Sequence, residues 1–437
     1  MNPTALGITG IIVMVLVFIT RMPVAYVMTM IGFIGFAILT SFESSLNLLA
    51  VDFYDVFSSY GLTTVPLFIL MGQLAFSSGI SRRLYDTAYK YLGNTSGGLA
   101  IATVMACTAF GAVCGSSAAT AATMATVGLP EMKRFSYADE LSAGSVASGG
   151  GLGMIMPPSV VLIIYGVLTE QSIGQLFVAG IVPAIVVSLL FVITIVIWCM
   201  FAPNQGPKGE KFDWRTKVKS LGELVDTLAV FLLVMGGIFF GFFTPTEAAA
   251  VGVFGVLCIS VLRKQISWPG IVSAIYETLQ TSCMTMMLIA GAVVFGKFLA
   301  VTRIPFDIAS WIGGFALPPV IILLIILTVY FFGGCFMDSL ALVMLTVPIF
   351  YPLVIECGYN PIWFGIIIVM VTEMGVISPP VGINVYVVYG VARATPGGMQ
   401  LESIFKGILP FMLAVLAGII VFVIFPQIIL FLPNLMY

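Results

Sequence analysis

Long apolar segments separated by short polar loops dominate the sequence. A membrane-spanning helix needs about 17–25 predominantly apolar residues, and the following segments are predicted to be full spans: 4–20, 22–40, 61–79, 139–168, 174–201, 222–242, 246–262, 279–300, 361–391 and 406–432. Two further apolar stretches, 97–129 and 316–355, are interrupted at their centres by small and polar residues. We predict that each of them folds as a re-entrant hairpin within an all-α polytopic membrane protein.

Lysine and arginine predict the orientation, because short cytoplasmic loops are enriched in both residues. With the N-terminus outside and both hairpins re-entrant, the cytoplasmic side receives the basic residues at 21, 82–90, 133–134, 208–219, 263–264 and 393–406. The acidic loop with Glu43, Asp52 and Asp55 then lies outside, and both termini are predicted to be periplasmic. Residues 1–26 have no basic segment before their apolar run, which predicts a retained span rather than a signal peptide.

An internal repeat is visible, since residues 111–158 align without gaps with residues 333–380. Each copy is a hairpin followed by a span that is broken at Gly…Pro-Pro. Lys133 and Arg134 flank the first hairpin, whereas no Lys or Arg lies between Arg303 and Arg393. The copies are therefore predicted to enter from opposite sides, as in secondary transporters with a midplane site. The alternative is that Gly and Pro only kink packed helices, because both are frequent in membrane helices.

These features predict the domain organisation. It consists of N-terminal scaffold helices (1–60), a first repeat (61–201, with hairpin 97–129 and broken helix 139–168), a cytoplasmic loop (202–220), further scaffold helices (221–270), and a second repeat (271–437, with hairpin 316–355 and broken helix 361–391).

The predicted breaks suit small ions. Irregular backbone persists at membrane depth only where protein or a water-filled cavity surrounds it, and carbonyl oxygens freed there are the hard ligands that Na⁺ prefers. Helices that restart near Pro158 and Pro380, and hairpin arms that start near Ser116 and Asp338, direct positive dipole ends towards an anion. For the small polar residues Ser116, Ser117, Thr120 and Thr123, close helix packing is the alternative interpretation.

Four ionisable residues lie within or near the apolar spans, where such groups are functional candidates. Asp338 is predicted to line the cavity, to cap its hairpin arm, or both. Glu373 lies beside the second break, where it tunes a cation site or pairs with Lys297. Glu247 follows a helix start and is interpreted as stabilising the first turn.

Composition narrows the class of protein. Of the 437 residues, 60% are hydrophobic and 8% are charged, so lipid is the solvent for most of the chain. The net charge of -2 provides no nucleic-acid surface. Histidine is absent, which excludes Ser-His-Asp hydrolases and HExxH proteases. The seven cysteines lack CxxC spacing. The segment 291–297 imitates a P-loop, but Phe298 replaces the required Ser or Thr, so we expect no ATP binding.

Four segments resemble a known family. Gly115-Ser116-Ser117, the break at 153–159, the segment 243–248 and the break at 378–384 are similar to the large membrane subunit (DctM type) of tripartite ATP-independent periplasmic transporters. The resemblance covers essentially the whole chain. It implies an elevator-type fold like that of the ion-transporter superfamily, coupling to Na⁺, and import of a small organic anion across the bacterial inner membrane. It also implies two partners, a small four-helix membrane subunit and a periplasmic substrate-binding protein.

The same resemblance implies two sodium sites and a substrate site. The first sodium site falls, mainly through carbonyls, at Gly111, Cys114, Gly153, Met156 and Pro158. The second falls at Gly334, Gly375, Ser378 and Val381. The expected substrate contacts are Ser116, Ser117, Asp338, Ser339 and Asn384.

Two other functions stay open at this stage. A stand-alone sodium-dicarboxylate carrier of similar architecture would bind its substrate unaided. An intramembrane aspartyl protease would need two facing Asp residues, and only Asp338 lies deep in an apolar segment. C4-dicarboxylates, 2-oxo acids, sialic acids and sulfonates are all compatible substrates, because helix dipoles recognise charge more than shape.

Overall fold

The computed structural model of the chain describes residues 3–18, 22–304, 318–394 and 398–436. Regular structure in these residues is helical. The α-helices are α1 (Pro3–Phe18), α2 (Val24–Leu39), α3 (Phe42–Ser58), α4 (Thr64–Ser77), α5 (Ile80–Leu92), α6 (Gly98–Cys114), α7 (Ser117–Arg134), α8 (Asp139–Ile155), α9 (Val160–Thr169), α10 (Ile173–Phe201), α11 (Trp214–Phe239), α12 (Pro245–Leu262), α13 (Trp268–Thr302), α14 (Pro319–Phe336), α15 (Ser339–Glu356), α16 (Pro361–Ile377), α17 (Ile383–Ala394), α18 (Leu401–Ile424) and α19 (Gln427–Met436).

The helices confirm the polytopic membrane class. Within the described residues, 8 helices are long and apolar enough to cross a membrane, when α8 and α9 are counted as one span of 31 residues. The helix pair α3 and α4 adds a ninth candidate that is bent by 57°. The predicted span 406–432 is interrupted, because α18 ends before Pro426 and α19 begins after it. Arg21 lies outside the described residues.

Helix α3 corrects the prediction of an acidic outer loop. Its buried positions include Ser45 and Asp52, whereas Val51, Tyr54 and other apolar side chains are exposed. The polar face therefore packs on the protein and the apolar face points outward, as suits a helix surrounded by lipid. Ser45 Oγ donates a hydrogen bond of 2.7 Å to the carbonyl of Phe33 on α2. Such a helix is not recognised from hydropathy when apolar residues are expected to be buried and polar residues exposed.

The internal repeat is confirmed helix by helix. Helices α6 and α7 form the first hairpin, and α8 and α9 form the first broken span. Helices α14 and α15, followed by α16 and α17, form the second set. The bounds of α7 and α8 correspond to those of α15 and α16 at the offset of the sequence repeat. Each Pro-Pro pair lies between the two halves of its broken span.

The two hairpins open towards opposite ends of the α8–α9 span. At the start of α8, Asp139 accepts a hydrogen bond of 3.1 Å from Lys133, which is close to the C-terminal end of the first hairpin. At the far end of α9, the carbonyl of Thr169 accepts a hydrogen bond of 3.4 Å from Tyr351, which is near the C-terminal end of the second hairpin. This arrangement confirms the predicted inversion of the repeats.

The second broken span runs antiparallel to the first. Its first residue, Pro361, accepts a hydrogen bond of 2.7 Å from Tyr165 near the end of α9. After α17, the carbonyl of Gly398 lies 3.5 Å from Lys133, at the end where α8 begins. The two breaks are consequently brought to the middle of the molecule from opposite directions.

Candidate functional site: a central cavity between two hairpin tips

A cavity of about 400 Å³ lies where the two hairpin tips meet. All five predicted substrate residues line it: Ser116, Ser117, Asp338, Ser339 and Asn384. Their roles stay a prediction, but the structure brings residues from both repeats to one place. Asp338 is the one carboxylate among the described residues that line this cavity.

Four helix N-termini border the cavity. Ser116 caps α7 by accepting a hydrogen bond of 3.4 Å from the amide of Ala119. Asp338 caps α15 by accepting one of 3.0 Å from the amide of Leu340. The first residues of α9 and α17, Val160 and Ile383, also line the cavity. Because each helix N-terminus carries partial positive charge, the cavity is suited to an anion.

The opposite wall comes from helices outside the hairpins. Gln73 on α4, and Thr281 and Thr285 on α13, line the cavity there. The sequence reasoning did not select these three residues. The available signal was that Gln73 is a polar side chain within a predicted apolar span, which is itself a reason for suspecting a cavity.

The first candidate sodium site lies where α6 meets the break between α8 and α9. An ideal Cβ on Gly111 would lie 2.7 Å from Cα of Gly153, so the two backbones touch. Gly115 has a positive φ of 65° that suits glycine, and a Cβ on it would lie 2.5 Å from the carbonyl oxygen of Pro158. Cys114 ends α6 and Met156 follows the end of α8. The structure therefore brings these predicted residues into one region.

The second candidate sodium site repeats this arrangement. An ideal Cβ on Gly375 would lie 2.7 Å from Cα of Gly334. Ser378 is buried, and its hydroxyl donates a hydrogen bond to the carbonyl of Met374. Val381 follows the Pro-Pro pair and is partly exposed. In both repeats, the first helix of the hairpin (α6 or α14) thus contacts the first half of the broken span (α8 or α16), near the break, through one glycine on each side.

Each break also has a buried threonine hydroxyl beside it. Thr120 Oγ1 would lie 2.4 Å from a Cβ on Gly153. At the second break, Thr372 Oγ1 has no hydrogen-bond partner among the described residues, and the carbonyl of Thr372 faces Gly334. Hard oxygens such as these hydroxyls and the nearby carbonyls are what a small cation such as Na⁺ requires, so the residues present fit the expected ion. The sequence alone leaves helix packing open as an alternative for Thr120, and it does not single out Thr372.

The ionisable residues in or near the spans pair differently from one of the predictions. Lys297 on α13 forms an ion pair with Asp52 on α3, not with Glu373. The Asp52 side chain is 1% exposed. Glu373 is buried and accepts a hydrogen bond of 3.3 Å from Ser117. The interpretation of Glu247 as a first-turn residue is confirmed, since it forms a capping box with Thr244.

The fold resembles that of a solved membrane protein. A superposition on the crystal structure of the Alcanivorax borkumensis YdaH transporter gives a TM-score of 0.64, at 14% sequence identity, over 98% of this chain and 100% of the other. At that identity the likeness concerns the fold alone.

Sequence comparison then gives the family. Residues 11–428 match the model of the tripartite ATP-independent periplasmic transporter, DctM component. The chain is 34% identical to the C4-dicarboxylate TRAP transporter large permease protein DctM of Pseudomonas aeruginosa, over 89% of this chain and 90% of that protein. It is 33% identical to the isethionate TRAP transporter permease protein DctMQ of Oleidesulfovibrio alaskensis, of which it covers 58%. The chain therefore belongs to the DctM family of TRAP transporter large permeases.

Proposed function

We propose that this chain imports a small organic anion, a carboxylate or a sulfonate, by coupling its movement to the inward flow of Na⁺. The observation that carries the proposal is the cavity at which both hairpin tips, four helix N-termini and Asn384 meet. Partial positive charge from these N-termini would hold the anion without a buried arginine. The relatives named for a C4-dicarboxylate and for isethionate support the substrate class.

The two breaks that flank the cavity support the proposal of sodium coupling. Each break packs against a hairpin arm through paired glycines and has a buried threonine oxygen beside it. A cation bound at either break would lie close to the anion, and each charge would lower the cost of moving the other to membrane depth. Because the two ions favour each other's binding, the sodium gradient would drive uptake.

We further propose an elevator mechanism. The repeats α6–α9 and α14–α17 form the mobile body, and α4 and α13 belong to the scaffold that closes the cavity from the other side. The cavity lies at the boundary between these two groups of helices, so that sliding of one group against the other would move the bound ions across the membrane. We also propose that both termini lie in the periplasm, as the distribution of Lys and Arg predicts.

Two partners complete the proposed transporter. A small membrane subunit would enlarge the scaffold, and a periplasmic binding protein would deliver the anion. The longer relative named DctMQ supports the first partner, since this chain matches 58% of its length.

Reconstitution tests the proposal. Proteoliposomes would contain this chain with its small subunit and binding protein, and uptake of labelled succinate, isethionate and sialic acid would be measured with an inward Na⁺ or K⁺ gradient. We expect one of these anions to be taken up in the Na⁺ gradient, and only when both partners are present. Uptake that is equal in K⁺ would refute sodium coupling. Uptake by this chain alone would instead support the stand-alone carrier.

A further inference from the structure

Glu373 is not among the residues that line the cavity, but it is hydrogen-bonded to Ser117, which is. Its Oε2 accepts a hydrogen bond of 3.3 Å from Ser117 Oγ, and Ser117 lines the cavity. Ser117 Oγ in turn accepts a hydrogen bond of 2.6 Å from Asn384 Nδ2, and Asn384 also lines the cavity. The three side chains form one continuous chain of hydrogen bonds.

This hydrogen-bonded chain crosses between the two repeats. Ser117 is the first residue of α7 in the first repeat, whereas Glu373 and Asn384 belong to the second. Glu373 precedes the second break and Asn384 follows it, so the candidate ion site at 375–381 lies between them. The hydroxyl of Ser117 is therefore bonded to both flanks of that break.

The carboxylate of Glu373 also touches the first broken helix. An ideal Cβ on Gly151 of α8 would lie 1.2 Å from Glu373 Oε1, so the carboxylate occupies the space that a side chain at 151 would fill. Glu373 is 1% exposed, and its Oε1 has no hydrogen-bond partner among the described residues. A buried, partly unsatisfied carboxylate lowers stability, so its contribution is better sought in function than in holding the fold.

We propose that Glu373 is a positioning residue that transmits ion binding at the second break to Ser117 and Asn384 at the substrate cavity. When the backbone at 375–381 closes around an ion, its two flanks shift, and Ser117 shifts with them because it is bonded to both. The inference rests on the proposed sodium coupling. It adds a route by which sodium binding repositions Ser117 and Asn384 at the anion site before the anion binds.

The test uses Na⁺ alone as the probe and a reporter thiol in the cavity. Ala119→Cys is introduced on α7, where Ala119 lines the cavity, together with Cys283→Ser to remove an exposed native thiol. The full-length protein in nanodiscs is labelled with a small maleimide in NaCl or in KCl, and the rate is read at position 119 by peptide mass spectrometry, because the native Cys114 also lines the cavity. The Na⁺-induced rise in thermal unfolding midpoint is measured in parallel, as a readout of ion binding itself.

The parent is expected to change its labelling rate between the two salts by at least about fivefold, the low end of usual coupling between sites. In Glu373→Ala, this response is expected to fall below about twofold, while the Na⁺-induced thermal shift remains. Glu373→Gln is expected to restore the response, since its amide oxygen can accept the bond from Ser117. Ser117→Ala and Glu373→Ala are expected to be non-additive, because both break one pathway.

Other results would overturn the inference. If Glu373→Ala keeps the full Na⁺-dependent change in labelling rate, Glu373 transmits nothing. If Glu373→Ala does not fold, Ser117→Ala is used in its place, and the same loss of response is expected. Loss of the Na⁺-induced thermal shift in Glu373→Ala would make Glu373 part of the ion site instead of a link. A parent without any response to Na⁺ in either readout would refute the sodium coupling, and this link with it.

Discussion

Asn384 Nδ2 donates a hydrogen bond of 2.6 Å to Ser117 Oγ, although the two residues are 267 positions apart. The same nitrogen lies 3.3 Å from the carbonyl of Ala147 on α8. One amide at the start of α17 thus holds both the hairpin tip and the broken helix of the other repeat. The two repeats are joined at the cavity, which suits a body that moves as one unit.

The close glycine contacts at the two breaks predict a loss of transport when side chains are added. A Cβ at Gly153 would lie 2.9 Å from the carbonyl of Ser116, and one at Gly375 would lie 2.6 Å from the carbonyl of Phe331. We expect Gly153→Val and Gly375→Val each to reduce Na⁺-dependent uptake in proteoliposomes at least about tenfold, or about 1.4 kcal/mol of barrier. Gly236→Val is the control, since a Cβ there meets nothing within 4 Å. Uptake at the parent rate in both break variants would remove the proposed ion sites.

Asp338 caps α15, and we predict that it stabilises the protein through the oxygen that accepts the hydrogen bond from Leu340, and not through its negative charge. Asparagine is as good an N-cap as aspartate, whereas alanine leaves the amide of Leu340 without its partner. Asp338→Ala is expected to cost about 1 kcal/mol and to lower the thermal unfolding midpoint in nanodiscs, and Asp338→Asn to leave it unchanged. Equal losses in the two variants would show that the charge itself stabilises the hairpin.

The hairpins and broken helices could be predicted because Gly, Pro and the basic residues mark them directly in the sequence. The bounds of α7 and α8 follow from features such as Ser116 as a cap and the Pro-Pro pair at 157–158. Helix α3 could not be predicted in this way, because its polar face packs inward and its apolar face points outward.

Contacts between residues that are distant along the chain are harder to predict from the sequence. Because Lys297 and Glu373 both lie within apolar spans, the sequence suggests that they pair, yet the partner of Lys297 is Asp52, which lies 245 positions away on α3. Gln73 and Thr281 line the cavity because α4 and α13 close it. The polarity of Gln73 within an apolar span signals a cavity, but it does not say which helices meet there. Periodicity and charge indicate which face of a helix is special, but they do not say which other helix meets that face.

A close helix crossing predicts sensitivity far from the cavity. A Cβ on Gly407 of α18 would lie 2.0 Å from the carbonyl of Glu140, and one on Gly144 of α8 would lie 2.4 Å from the carbonyl of Gly407. Small residues allow this approach of two backbones. Gly407→Ala is expected to cost about 1–3 kcal/mol through overpacking, seen as a lower thermal unfolding midpoint. Gly390→Ala, with open space around it, is the matched control. If both variants unfold at the parent temperature, the crossing is looser than described.

The ion pair between Lys297 and Asp52 predicts an asymmetric response to mutation. Asp52 is 1% exposed on α3, whereas the side chain of Lys297 on α13 is 48% exposed. Lys297→Met would leave a buried carboxylate unpaired, at a cost of about 1–3 kcal/mol. Asp52→Asn would instead leave a lysine that can extend towards the membrane surface, so its cost should be smaller.

The double variant decides between attraction and simple packing. Removing both charges eliminates the unpaired carboxylate, so Asp52→Asn combined with Lys297→Met is expected to unfold at a higher temperature than Lys297→Met alone. This holds because the penalty in the single variant comes from the buried charge left behind, not from the lost lysine. If the double variant is instead the least stable of the three, each side chain contributes independently of the other. The pair would then not be what fixes α3 against α13.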